Sequence, residues 1–272
     1  MVIRKLCELI DMPEEVIREI ETWKAGQFEK ELEHYLSQVR EKTNWDTALH
    51  EVRKILGEDQ RGLICLAFML HAALRSHREY LRRGIPDSIY IATMGCFSRF
   101  VKEHYESYGT YGFDREWWTV RELTLREFRL GELEYELTEE MYKKIISVHI
   151  PSDAKLEESK CRESYHMAKS FFTQYAVDYA DADYYCNSWL LYPMLSEFLP
   201  EHSKILRFQK DFILDSFEPD NEEHKQWVFK NQALTLDELP ENTSLQRRMK
   251  EHLKNGGKIG SGRGHIRREF IE

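Results

Sequence analysis

The chain has 272 residues, with 39 Lys+Arg against 48 Asp+Glu for a formal charge of −9, and is 42% hydrophobic and 12% aromatic. That is enough apolar material for one large core or two modest ones, and it excludes global disorder. The 13 Gly and 7 Pro are few, and no glycine falls between Gly131 and Gly256, which speaks for long regular elements.

Several classes of function are set aside on the same grounds. The most apolar run, Leu63 to Leu74, is broken by His71 and flanked by Arg61 and Arg75, short of the ~20 residues a bilayer span needs. The N-terminal MVIRKLCELI has neither an apolar core nor a small-residue cleavage site. No membrane partner and a cytoplasmic location are therefore expected. Cys7, Cys65, Cys96, Cys161 and Cys186 are odd in number, scattered and free of any C-x-x-C pair, a pattern of reduced thiols. The 11 histidines show no metal-ligand spacing, so no metal is expected. Charge is uneven: Ser244 to Arg268 carries eight basic residues and one acid, +7 within a −9 protein. A nucleic-acid partner would favour a broad basic face, and the acidic bulk opposes that. A local basic segment suits a small phosphorylated ligand or a solvated helix.

In chain order, the first 84 residues read as helices. Pro13 with Glu14 and Glu15 opens one, acids at the positive end of its dipole. Phe28, Leu32, Tyr35, Leu36 and Val39 form one apolar stripe. Asn44 or Asp46 caps a helix bearing Ala48, Leu49, Val52, Ile55 and Leu56, ended by Gly57. Leu63 to Leu81 is a strongly apolar helix, central to the bundle, and Gly84-Ile85-Pro86 marks the expected domain boundary.

Beyond Pro86 the pattern mixes. Ser88 to Met94 reads as a strand, Phe97 to Tyr108 as a helix, and Tyr108 to Trp118 is rich in aromatics. Thr124 to Leu137 alternates like extended chain, and its apolar parity switches across Gly131, as a bulge or tight turn there requires. Strands follow at Lys143–Ile150, Tyr184–Leu191 and Phe212–Phe217, with helices at Ser159–Phe172, Pro193–Gln209 (mostly) and Ser244–Asn255 before a glycine-rich tail. The fold class is α+β / α/β: a helical bundle over residues 1–84, then a mixed-sheet domain over 85–272.

Three stretches carry a family resemblance: Phe128-Arg129-Leu130-Gly131 with Leu133, Val148-His149-Ile150-Pro151, and Cys186-Asn187-Ser188-Trp189-Leu190-Leu191-Tyr192-Pro193. With the helical N-terminal half and the order of the later elements, they resemble a bacterial acyltransferase family that joins an all-α N-terminal domain to a GNAT-like C-terminal domain. The resemblance implies transfer of an acyl group from acetyl-CoA or another acyl-CoA to a small-molecule amine or amino-acid-like acceptor. It implies that the fourth and fifth strands of that fold, here Lys143–Ile150 and Tyr184–Leu191, splay so that the pantetheine arm inserts as if it were a strand. The CoA pyrophosphate would then meet Ile150, Ser152, Lys155, Lys160, Arg162 and Ser164 at the loop and helix N-terminus that follow. The sequence departs from the GNAT pattern here: the loop Ser152 to Lys160 has no glycine, and close approach of backbone to phosphate is easiest at glycine. Lys155, Lys160 and Arg162 could supply charge instead, the tail Gly256 to Gly264 could fold over as a cradle, or the site is dead.

His149 is the candidate general base at the end of the fourth strand, against a plain sheet histidine. Ser188 and Trp189 face opposite ways on the fifth strand, and which faces the cleft is open. Tyr192 is the candidate acid for the leaving thiolate, against a packed ring with a hydrogen-bonded hydroxyl. Cys186 has no activating partner by spacing, so no covalent intermediate is expected. Glu132, Glu134 and Glu136 share a strand face that would attract a cationic amine if it lines the cleft, or else is the solvated side of an edge strand. The aromatic stretch Tyr105 to Trp118 would shape the acceptor pocket as a lid. The catalytic set expected is His149, Ser188 and Tyr192. The rival reading is a non-catalytic GNAT-derived binding module, and a third is an anion- or nucleotide-binding enzyme that uses the basic tail.

Overall fold

The computed structural model describes residues 1–231 and 233–271. The chain forms two compact units, Met1–Arg129 and Leu130–Glu272.

The first unit is helical. Its helices are α1 (Ile3–Leu9), α2 (Glu14–Ile20), α3 (Glu29–Gln38), α4 (Trp45–Leu56), α5 (Leu63–Arg82), α6 (Asp87–Tyr108) and α7 (Glu116–Leu123). Helix α5 is apolar nearly all round, and Leu66, Ala67, Phe68, Met69, Leu70, Ala72 and Ala73 have no exposed surface. A helix of that kind belongs at the centre of a bundle. It ends in a Schellman motif: Gly84 takes φ +71°, its N–H donates to the Leu81 carbonyl at 3.0 Å, and Ile85 N–H donates to the Tyr80 carbonyl at 2.9 Å. Gly84-Ile85-Pro86 is thus a turn between two helices of one unit, whereas the expectation made it a domain boundary.

Ser88–Met94, expected as a strand, lies inside α6. The segment is rich in β-branched residues, yet its buried positions Tyr90, Thr93, Met94, Phe97, Phe100 and Val101 recur at helical spacing. Pro86 and Asp87 start the helix, and Gly109 (φ +71°) ends it. Packing on one face overrides the local strand preference. The expected lid is also held in this unit: Phe113 N–H donates to the Arg61 carbonyl at 2.7 Å. A Cβ on Gly62 would come within 1.8 Å of the Phe113 carbonyl oxygen, so those two segments cross in contact.

The second unit is a mixed sheet. Strand β1 (Glu127–Leu130) spans the junction; β2 (Leu133–Glu140), β3 (Lys143–His149), β4 (Asp183–Ser188), β5 (Phe212–Glu218) and β6 (Ser261–Ile266) follow. Within this unit the strand order is β2-β3-β4-β6-β5. The hairpin β2–β3 turns on Met141 and Tyr142, both at positive φ, as a two-residue primed turn demands. Strands β3 and β4 are parallel, joined through α8 (Glu158–Tyr175), while β6 is antiparallel to both of its neighbours. Tyr135 and Tyr184 pack on Phe172 of α8, which covers one face. Shorter helices α9 (Lys204–Gln209) and α10 (Glu223–Trp227) precede α11 (Ser244–Lys254), which begins with a capping box of Thr243 and Gln246.

Two expectations change here. Strand β4 stops at Ser188, and Trp189–Leu191 form a 3₁₀ turn; Pro193–Gln209 is a 3₁₀ turn plus α9, not one helix. The second half of the glycine-rich tail is not a loose terminus: Ser261–Ile266 form β6, inserted between β4 and β5. Among the described residues no helix is long and apolar enough to cross a membrane.

Candidate active site

The parallel ladder between β3 and β4 is short. Ile145 lies opposite Asp183, Ile146 opposite Tyr184 and Ser147 opposite Tyr185, and pairing ends there although β3 continues to His149 and β4 to Ser188. Beyond Ser147 the two strands part, and β4 pairs instead with β6 through Ser188. Residues directly opposite across a ladder project from the same face. One face therefore carries Glu134, Glu136 and Thr138 from β2, Ser147 and His149 from β3, Tyr185 and Asn187 from β4, and Arg263 and His265 from β6. The opposite face carries Tyr135, Tyr184 and Cys186 and packs on α8.

His149 stands at the opening. Its Nε2 lies 3.1 Å from Oε2 of Glu136, and its side chain is 25% exposed against 5% for Glu136. Glu134, directly across from His149, is also buried. Such a pair fixes the imidazole's orientation. Glu134 and Glu136 are therefore not the solvated side of an edge strand. Glu132 precedes β2, and its carboxylate accepts from the backbone N–H groups of Lys155 and Leu156.

The other expected site residues are dispersed. Ser188 projects from the face opposite His149, alongside Cys186, and its hydroxyl accepts from Leu190 N–H at 3.2 Å; it caps the 3₁₀ turn. Tyr192 is buried with its ring 6.1 Å from Phe217. Burial and nearby Glu197 raise its hydroxyl above the usual range, with Lys258 opposing. None of these neighbours lies on β3 or in the loop after it. Ser164 is fully buried, bonded to the Leu130 carbonyl, Leu133 N–H and the Tyr135 hydroxyl, so it rivets α8 to the β1–β2 turn and cannot turn toward a phosphate. Arg162 is bound to buried Asp211 at 2.8 Å and stacks on Phe270. Burial raises the Asp211 carboxyl, with hydrogen bonds from Tyr165 and Arg162 pulling the other way. Ile150 is half-buried and Ser152 exposed just past β3. Lys155 is exposed, and Lys160 is exposed in a pair with Glu163 at 2.8 Å. These two keep side chains that a small anion can reach.

Burial pushes the Cys186 thiol well above its ordinary range, with Glu223 adding to the effect, so it is not a nucleophile at neutral pH. The five cysteines are free and buried. The sequence reading missed Tyr185, Arg263, His265 and Asp215. The Arg263 guanidinium lies 4.7 Å over the Tyr185 ring and pairs with Glu140 through two bonds of 2.9 and 2.6 Å. His265 Nδ1 meets both oxygens of Asp215 at 3.0 and 3.1 Å. The available signal was the alternation Gly262, Arg263, Gly264, His265, period two with glycine on one side.

Residues 1–125 match the N-acyltransferase N-terminal domain family, and residues 127–266, just over half of the chain, match the GNAT-like C-terminal domain family. The chain belongs to the two-domain acyltransferase family that this pair of domains defines. No curated protein matches it. Among solved structures, it is similar to an acyltransferase in complex with decanoyl-CoA and teicoplanin, at 24% identity and TM-score 0.79 over 97% of this chain and 86% of that one. The same values hold for an acyltransferase in complex with CoA and 10C-teicoplanin, except that 87% of that chain is covered. An acyltransferase with decanoyl-CoA alone gives 23% identity and TM-score 0.76, covering 97% of this chain and 86% of that one. At this identity the likeness establishes the fold.

Proposed function

We propose that the protein is an acyl-CoA-dependent N-acyltransferase in which an amine attacks the thioester directly. The observation that carries this reading is the parting of β3 and β4 after Ser147 and Tyr185, with the His149–Glu136 pair at the opening. A pantetheine arm lies in that opening as a surrogate strand. An ammonium acceptor approaches along the face that bears Glu134 and Glu136, where buried carboxylates favour a cation. His149 removes its proton, and the free amine adds to the thioester carbonyl. The C–S bond then breaks as the nitrogen gives up its second proton, leaving an amide and the CoA thiolate; the thiolate is protonated by the protonated His149 or by solvent, and one proton in all is released. Positioning and proton removal suffice, and no covalent enzyme intermediate is required. Lys155 and Lys160 serve the diphosphate. Fold neighbours crystallised with decanoyl-CoA and CoA support a CoA thioester as the acyl donor, and a C10 chain is the first to test.

A thermal-shift titration with acetyl-, octanoyl- and decanoyl-CoA tests the donor: a ligand that prefers the folded state raises apparent stability, and absence of any shift removes the enzyme reading. The His149→Ala variant should bind the same acyl-CoA but transfer it at least a hundredfold more slowly to an amine panel, within the range for loss of a general base. Full activity in that variant discards the role.

A further inference from the structure

The loop after β3 has no glycine, yet it bends as glycine would. Leu156 adopts φ +51°, a left-handed conformation that a branched side chain takes only against strain. The N–H groups of Lys155 and Leu156 both donate to Oε1 of Glu132, the second at 2.9 Å. Glu132 is itself fixed. It follows Gly131 (φ +73°), where a Cβ would meet the Ser164 backbone of α8 at 3.4 Å. Ser164 Oγ clamps the flanking Leu130 carbonyl and Leu133 N–H. A carboxylate with two charge-assisted bonds thus ties the loop's left-handed residue to a turn seated on the helix into which the loop leads.

We propose that Glu132 is the positioning residue of the acyl-CoA loop: its carboxylate holds Leu156 left-handed and so replaces the glycine that the family pattern places there. The role rests on the acyl-CoA reading above. Glu132 touches no ligand; it acts by fixing where Lys155 and the first turn of α8 stand. That turn receives no side-chain cap from Glu157, the residue before it.

The test compares two ligands on the full chain by calorimetry: decanoyl-CoA, and S-decanoyl-pantetheine, which lacks the diphosphate. Glu132→Ala should weaken decanoyl-CoA about tenfold, the scale of losing two charge-assisted bonds at a partly exposed site, and leave the pantetheine thioester unchanged. Glu132→Gln keeps an acceptor oxygen in place and should stay within about threefold of wild type. Adding Leu156→Gly to Glu132→Ala should recover most of the loss, since glycine takes positive φ without strain. Should Glu132→Ala not fold, Glu132→Asp, charged but one methylene short, carries the same expectation. Unchanged or tighter decanoyl-CoA binding, or equal loss of both ligands, overturns the proposal alone. Failure of the wild-type chain to bind either ligand overturns it together with the acyl-CoA reading.

Discussion

Replacing Gly262 by alanine puts a methyl group where the chain has no room. A Cβ there would lie 2.3 Å from the Leu191 carbonyl oxygen and 2.6 Å from its carbon, roughly 1 Å inside ordinary contact. Neither partner yields easily. Gly262 is held in ladders to both β4 and β5, and Gln209 Nε2 holds the Leu190 and Tyr192 carbonyls on either side of Leu191, at 2.8 and 3.1 Å. Backbone against backbone places the cost near the top of the overpacking range, about 2–3 kcal/mol, or about 4–10 °C in Tm for a chain of this size. Gly95 supplies a control of opposite sign. It sits within α6 with nothing inside 4 Å of its Cβ position, so Gly95→Ala should stabilise by about 0.5–1 kcal/mol. Urea unfolding followed by circular dichroism measures both. A Gly262→Ala chain within 0.5 kcal/mol of wild type would refute the account of β6 as a strand that requires glycine on one face.

Glu136→Gln preserves size but removes the charge beside His149; transfer should fall about 10–100-fold while the Kd for decanoyl-CoA holds, and an unchanged rate would show that the pair is not used. His224 is 2% exposed, and burial lowers its imidazole to about 4. The unfolded chain then binds a proton that the folded chain refuses, so stability is full above pH ~6.5 and is lost as pH falls toward 4, about 2 kcal/mol of it by pH 5. His224→Leu should flatten the pH dependence of urea unfolding by that amount; an identical slope would remove His224 as its source. Ser164→Ala leaves the Leu133 N–H and the Leu130 carbonyl without their partner and should cost about 2–4 kcal/mol in the same assay, whereas a loss under 1 kcal/mol would mean the rivet is redundant.

The long periodic helices could be read directly: α5, α8 and α11 lie where apolar spacing and end signals put them. So could β3 and β5, and the turn at Gly131, whose parity switch left little choice. Ser88–Met94 is helical against its strand-like content because β-branched content is a local preference, while the spacing of Tyr90, Thr93, Met94 and Phe97 reports packing on a neighbour. At the site, His149 was visible as a histidine ending a strand. Its partner Glu136 was visible only as one of three alternating acids, since burial of that face comes from elements distant in sequence. Ser164 and Arg162 stand early in a helix, where the sequence pattern points to phosphate. Their actual partners, Leu130, Leu133 and Asp211, lie 31 to 49 residues away, and no local pattern announces such pairs.

Glycine and charge are distributed by one logic. Gly260, Gly262 and Gly264 sit where added Cβ atoms would strike the backbones of Glu218, Leu191 and Ile213, so these three glycines of the tail serve close strand contact. Three of the basic residues there are likewise engaged by the fold. Lys250 donates to the Asp237 and Leu239 carbonyls and pairs with Glu241; Lys258 pairs with Asp220, and Arg263 with Glu140. Arg263 brings one of these cations to the sheet face that holds Glu134 and Glu136, where it pairs with Glu140 of β2. On the proposed reading, an ammonium acceptor approaches along this face. That reading requires a base to release the nucleophile from its proton, and His149, held by Glu136 where β3 and β4 part, is the residue proposed for it.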